Sequence, residues 1–149
     1  MAANRPRPLS PHLTIWRWGP AMLVSILHRI TGSGLSILGL GVLTWWLLAL
    51  SGGPESYSAF VNGVDWLTGS AITDAQGIGW KILAIVGLIV GIGLTWAFFQ
   101  HLLSGIRHLV MDTGTAFDLG INKTSAILTI LGSVLLTAAL WFYLLGGVK

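Results

Sequence analysis

Two short runs of polar and ionisable residues interrupt long apolar stretches of this 149-residue chain. The first is Ser25-Ile26-Leu27-His28-Arg29-Ile30-Thr31. Its i, i+3 and i+4 spacing puts Ser25, His28 and Arg29 on one face of a helical turn. Such a face can bind a ligand that carries oxygen. Ser25 offers a hydroxyl, Arg29 a permanently charged fork that suits a carboxylate or a reduced quinone oxygen, and His28 an imidazole. The plainer alternative has Arg29 reaching out to lipid headgroups and His28 hydrogen-bonded to a neighbouring helix.

The second run is His101-Leu102-Leu103-Ser104-Gly105-Ile106-Arg107-His108-Leu109-Val110-Met111-Asp112. His101, Ser104, Gly105, His108 and Asp112 recur at i, i+3, i+4, i+7 and i+11, a continuous stripe along an α-helix, with Arg107 off the stripe. At 1.5 Å per residue His101 stands roughly 9 Å deeper than Arg107, and so within hydrocarbon if Arg107 marks the interface. A lone imidazole there is costly. Ligation of haem iron by the neutral ring would account for it. Gly105 would leave room for a flat macrocycle, His108 and Arg107 could pair with propionates, and Asp112 could orient His108. The alternative is that His101 only hydrogen-bonds another helix and the rest cap a helix end.

The elements that must carry these residues follow from composition. The chain is 54% hydrophobic and 9% charged, with a mean hydropathy of +0.79, against about one quarter charged in a soluble domain. Lipid is the expected solvent, because 13 charged side chains cannot cover a water-soluble surface of this size. The net charge of +3 is spread out, with no basic run of the kind that binds nucleic acid. Without cysteine the chain supplies no disulfide, thiolate metal site or cysteine-held iron–sulfur cluster.

A crossing needs roughly 20 mostly apolar residues. Stretches at about 22–50, 78–111 and 125–145 qualify, which makes the chain an all-α integral membrane protein with three transmembrane helices in one domain spanning 1–149. Glycine-, proline- and asparagine-bearing connections at 51–77 and 112–124 read as turn-rich. Arg5, Arg7, Arg17 and Arg29 gather at the N-terminal end, whereas 51–77 has one Asp or Glu at each of Glu55, Asp65 and Asp74 but no Lys or Arg. Residues 1–21 are therefore expected to form an inner tail, with the N-terminus cytoplasmic and 112–124 on the same side. Trp45, Trp46, Trp80 and Trp141 fall toward outer span ends, and Trp16 and Trp18 at the inner entrance, as interfacial aromatics do. Both polar runs then share the inner leaflet, which favours one composite site. Gly32, Gly34, Gly39, Gly41, Gly87, Gly91 and Gly93 would permit close helix approach.

Taken in order, these residues resemble the larger cytochrome b anchor subunits of succinate dehydrogenase, respiratory complex II. The resemblance spans nearly the whole chain. Its first part is Arg7-Pro8-Leu9, Leu13, Pro20 and Ser25-Ile26-Leu27-His28-Arg29-Ile30-Thr31. Its second is His101, Gly105-Ile106-Arg107-His108-Leu109, Met111-Asp112 and Gly114. It implies one half of a heterodimeric transmembrane helix bundle, shared with a smaller cytochrome b anchor, that carries an iron–sulfur subunit and a flavoprotein on its inner face. It implies that succinate is oxidised at FAD on the flavoprotein and that electrons pass through iron–sulfur clusters to ubiquinone. It also implies that Ser25 and Arg29 bind the quinone, that His101 is an axial ligand of the haem b iron, and that His28, Arg29 and His108 contact haem propionates. The second axial ligand would come from the smaller anchor.

A haem-less or menaquinone-linked anchor shares this architecture and is the alternative within the family. Outside it, a small non-redox transporter subunit would show a discontinuous helix or an inverted repeat, and neither is visible in the sequence. The first apolar block follows a polar tail and is too long for a cleavable signal, and no Arg- and Ser-rich presequence is seen. The expected location is a bacterial plasma membrane, ahead of the mitochondrial inner membrane.

Overall fold

A hydrocarbon core leaves no water to satisfy backbone N–H and C=O groups, so an apolar chain must satisfy them internally, as helix. The computed structural model describes residues 17–67 and 77–146. Among these residues are four helices, α1 (Pro20–Ser51), α2 (Gly53–Leu67), α3 (Ile78–Asp112) and α4 (Leu119–Gly146). No strand occurs among them. Helices α1, α3 and α4 are long and apolar enough to cross a membrane, and the protein is an all-α, multi-pass membrane protein. The tail residues Arg5, Arg7 and Trp16, and residues 68–76 and 147–149, lie outside the described residues.

Helix α3 packs against both α1 and α4, and α1 also touches α4. Where they meet, most of the buried residues are small or hydroxylated, among them Ala84, Gly87, Ser104, Ala126, Thr129, Ser133 and Thr137. This is how helices associate when lipid tails are as apolar as leucine and only close packing and hydrogen bonds favour contact. The large apolar side chains point outward instead, with Ile37, Leu109, Leu135 and Phe142 all exposed. Of the glycines expected to allow close approach, Gly87 is buried and Gly32 lies under a side chain of α3, while Gly34, Gly41 and Gly93 have open space where a Cβ would stand.

Helix α3, at 35 residues, is about 52 Å long, more than the hydrocarbon thickness of about 30 Å, so it tilts or projects beyond the core. It ends where Gly114 turns to φ +84 and its N–H bonds Met111 O at 2.9 Å, a left-handed stop that glycine adopts without strain. Helix α4 begins at Leu119, ahead of the apolar stretch predicted from about Ser125. The Asp118 carboxylate accepts from the N–H groups of Gly120 at 2.8 Å and Ile121 at 3.3 Å, which caps the added turns. Those turns bring Asn122, Lys123 and Ser125 into the helix. In α1 a single π-helical turn, Leu35–Gly39, interrupts the α-helix within a run of glycines and serines, where such widenings are commonly found.

The predicted turn-rich connection after the first span is in large part a helix. Gly53, at φ +84, makes the reversal, and Pro54 and Glu55 then occupy the first turn, where a missing N–H and a negative charge both suit a helix start. Phe60 packs edge-on against Trp45 of α1, with ring centroids 4.8 Å apart. Gly63 lies directly beneath the same indole, and a Cβ there would stand 2.5 Å from Trp45 Cη2. Gly63 thus serves as a contact surface. Gly63→Val should lower the thermal midpoint of the detergent-solubilised protein, because overpacking costs about 1–3 kcal/mol and exceeds the helix propensity that valine gains over glycine. An unchanged midpoint would mean that Trp45 swings aside freely.

Candidate haem and quinone site

The N-terminal half of α1 and the C-terminal half of α3 cross so that the two polar runs meet. Val24, His28 and Thr31, at i, i+4 and i+7, turn toward the bundle, and Val24 and Thr31 are buried. The His28 and His101 rings stack face to face, with centroids 4.0 Å apart and planes 4° from parallel. His108 follows, its ring centroid 5.3 Å from that of His28 at a 57° tilt. Three imidazoles therefore stand in a row, with His101 at one end and the exposed His108 at the other.

The hydrogen bonds of His101 assign its tautomer. Nδ1 lies 3.1 Å from the His28 carbonyl oxygen, and a carbonyl only accepts, so Nδ1 carries the proton. Thr31 Oγ1 stands 3.5 Å from the same nitrogen and donates its own hydrogen to Leu27 O at 2.7 Å, which turns a lone pair toward His101. Nε2 is left with its lone pair, and among the described residues nothing hydrogen-bonds it. That is the state of a metal-ligating imidazole, whose remote N–H is held by a carbonyl.

The close approach depends on Gly32, where a Cβ would stand 2.8 Å from His101 Cε1 and 3.2 Å from Nδ1. Gly105, one turn along α3 from His101, faces His28 more loosely, with 4.0 Å between its notional Cβ and His28 Cε1. His28 Nδ1 is buried with no hydrogen-bond partner among the described residues, an orphaned polar atom of the kind found where a site is incomplete without a further group. Ser25 is half-buried and Arg29 exposed, and neither side chain has a partner among the described residues. Both remain available to a ligand or another subunit.

The donor set and the orphaned nitrogen fit haem. Among the described residues no three His, Cys, Asp or Glu side chains converge in a way that could hold a bare metal ion. A single imidazole with a free Nε2 suits an iron already held by a macrocycle.

Two expectations change. Arg107, expected to be free to pair with propionates, is buried and turned to α4, its Nε donating to Ser125 Oγ at 3.1 Å and its Nη2 to Asn122 Oδ1. The added first turns of α4 supply Asn122, which precedes the predicted start of that span, and Ser125 stands at that start. Asp112 is exposed and makes no contact with His108.

The sequence reading also passed over Gln100. It is fully buried, donating from Nε2 to Ser104 Oγ at 3.1 Å and accepting at Oε1 from Ser133 Oγ at 2.7 Å. Its signal was present, since an amide in an apolar span needs partners.

The profile of the succinate dehydrogenase/fumarate reductase transmembrane subunit family matches residues 3–140. The chain is similar to the succinate dehydrogenase cytochrome b556 subunit of Paracoccus denitrificans, 36% identical over 130 residues that cover 87% of this chain and 85% of the relative. It is 32% identical over 135 residues to the protein of the same name from Rickettsia felis, covering 91% and 90% of the two chains. It is also similar to the mitochondrial succinate dehydrogenase cytochrome b560 subunit of Sus scrofa, 34% identical over 140 residues that cover 89% of this chain and 70% of the relative.

Proposed function

Since the chain belongs to the succinate dehydrogenase/fumarate reductase transmembrane subunit family, we propose that it is the cytochrome b membrane anchor of a succinate:ubiquinone oxidoreductase, with His101 ligating haem b and Ser25 and Arg29 binding the quinone. The observation that carries this reading is the bare Nε2 of His101, fixed by the bond between Nδ1–H and His28 O. The smaller cytochrome b anchor would supply the other protein ligand to the haem iron. The iron–sulfur subunit and the flavoprotein, which holds the succinate site, dock at the inner end of the bundle. The membrane is the bacterial plasma membrane, with the N-terminus cytoplasmic, in keeping with Arg17 and Arg29 at that end and the lack of Lys and Arg in 51–77.

When bound, haem b would supply a centre that accepts and donates one electron. The protein's own groups do the rest. His28, His108 and Arg29 would hold the propionates, with the exposed Arg29 and His108 side chains open to a group from outside the chain. Reduction of a quinone to a quinol takes two electrons and two protons, and negative charge builds on the quinone oxygens before the protons arrive. Arg29 stabilises that charge, and the Ser25 hydroxyl donates a hydrogen bond that orients the ring.

Gly32→Ala should weaken haem retention sharply, because the added methyl stands 2.8 Å from His101 Cε1 and forces the ligand out of line. Haem per flavin in the purified complex measures it, and an unchanged ratio would place the ligand elsewhere. The assignment as a whole is tested by purification through a tag on this chain in mild detergent. Flavoprotein and iron–sulfur subunits that copurify with succinate-oxidising activity are the expected result. A chain that captures neither is not an anchor of this kind.

A further inference from the structure

Helix α3 carries a second polar stripe beside the first. Gln100, Ser104 and Arg107 recur at i, i+4 and i+7, each one residue before His101, Gly105 and His108. Consecutive residues on an α-helix point about 100° apart, so one stripe faces α1 while the other faces α4. All three residues of the second stripe are buried. Gln100 is bonded to Ser133 at 2.7 Å, and Arg107 to Ser125 at 3.1 Å and to Asn122, so both ends of the stripe are tied across to α4.

We propose that Gln100 and Ser133 are positioning residues that set the direction in which His101 presents Nε2, with Arg107 as a second pin about two turns nearer the helix end. This inference rests on the reading of His101 as a haem ligand. Apolar side chains on a membrane helix do not favour one rotation strongly, since lipid and protein are equally apolar, whereas directional hydrogen bonds do. Side-chain tips lie roughly 6 Å from the helix axis, so a rotation of about 20° moves a ligating nitrogen by roughly 2 Å, as far as a metal–imidazole bond is long. Gln100 is suited to the task because both of its polar ends are used: Nε2 on Ser104 fixes its own rotamer and Oε1 reaches α4. The one hydrogen of the Ser133 hydroxyl is shared between Gln100 Oε1 and Ile130 O, the latter at 2.8 Å within α4.

The test compares the purified complex carrying wild-type chain, Gln100→Leu, Ser133→Ala and Ser133→Thr. The readouts are haem per flavin, the α-band of the reduced haem, and the electron paramagnetic resonance g-values of the ferric haem, which respond to the orientation of a ligating imidazole. Outer-shell partners of metal ligands are typically worth about 10–100-fold in affinity. Gln100→Leu and Ser133→Ala should therefore shift the g-values and weaken haem retention by about tenfold, with Ser133→Thr, which keeps the hydroxyl, restored to wild type. Wild-type spectra and haem content in both altered complexes would overturn the inference, even if they were less stable, because the tie would then serve packing alone. If Gln100→Leu fails to assemble, Ser133→Ala decides by the same criteria. A wild-type complex that contains no haem would overturn the ligand reading itself, and this inference with it.

Discussion

His101→Ala should abolish the b-type absorbance of the complex while the flavoprotein and iron–sulfur subunits stay attached. The effect is large because His101 is the only side chain of the polar cluster whose hydrogen bonds leave a nitrogen lone pair both defined and free: Nδ1 is bound to His28 O, and nothing among the described residues engages Nε2. His28 cannot take over. Its Nδ1 is buried and its ring is held against His101 at 4.0 Å, so its own position depends on the ring that the substitution removes. Spectra of the reduced complex and haem extracted per flavin measure the loss. A full complement of haem with an unshifted band would show that the ligand lies outside this cluster.

Arg29→Ala should depress reduction of ubiquinone while succinate oxidation with a soluble electron acceptor continues. The exposed guanidinium has no partner among the described residues, so its removal strands no other group and need not disturb the fold. A hydrogen bond to a charged group is worth about 1.5–3 kcal/mol, which corresponds to a fall of about 10–100-fold in quinone reduction. Arg29→Lys should recover part of the loss, since lysine keeps the charge and gives up the planar fork. Equal loss of both activities would instead mean damaged assembly and would remove Arg29 from the quinone site.

The three crossings were legible because long apolar runs have few alternatives in lipid. The meeting of the two polar runs was legible because helical spacing and charge asymmetry together placed His28 and His101 at one depth. What the sequence hid lies mostly in contacts between elements. Gly53, Pro54, Asn62 and Gly63 read as turn formers, yet α2 is a helix because Gly63 accepts the Trp45 ring and Phe60 packs beside it. A glycine that breaks structure and one that permits contact look alike in a single chain. Arg107 seemed free to face a ligand because the turn of α4 that carries its partner Asn122, capped by Asp118, falls before the apolar stretch. Gln100 was overlooked beside His101 for a related reason: its partner Ser133 is 33 residues away, and no local pattern joins them. Gly32 was read as permitting helix approach in general, and only the structure shows that its neighbour is the His101 imidazole.

The most direct measurement is a reduced-minus-oxidised optical spectrum of the complex purified through this chain, with succinate as the only reductant. A b-type band that develops on adding succinate, in a preparation containing the flavoprotein and iron–sulfur subunits, is the result expected of a haem-bearing anchor in electronic contact with the succinate site. A preparation with the partner subunits and no such band would contradict the haem assignment, and one with neither band nor partners would contradict the anchor function itself.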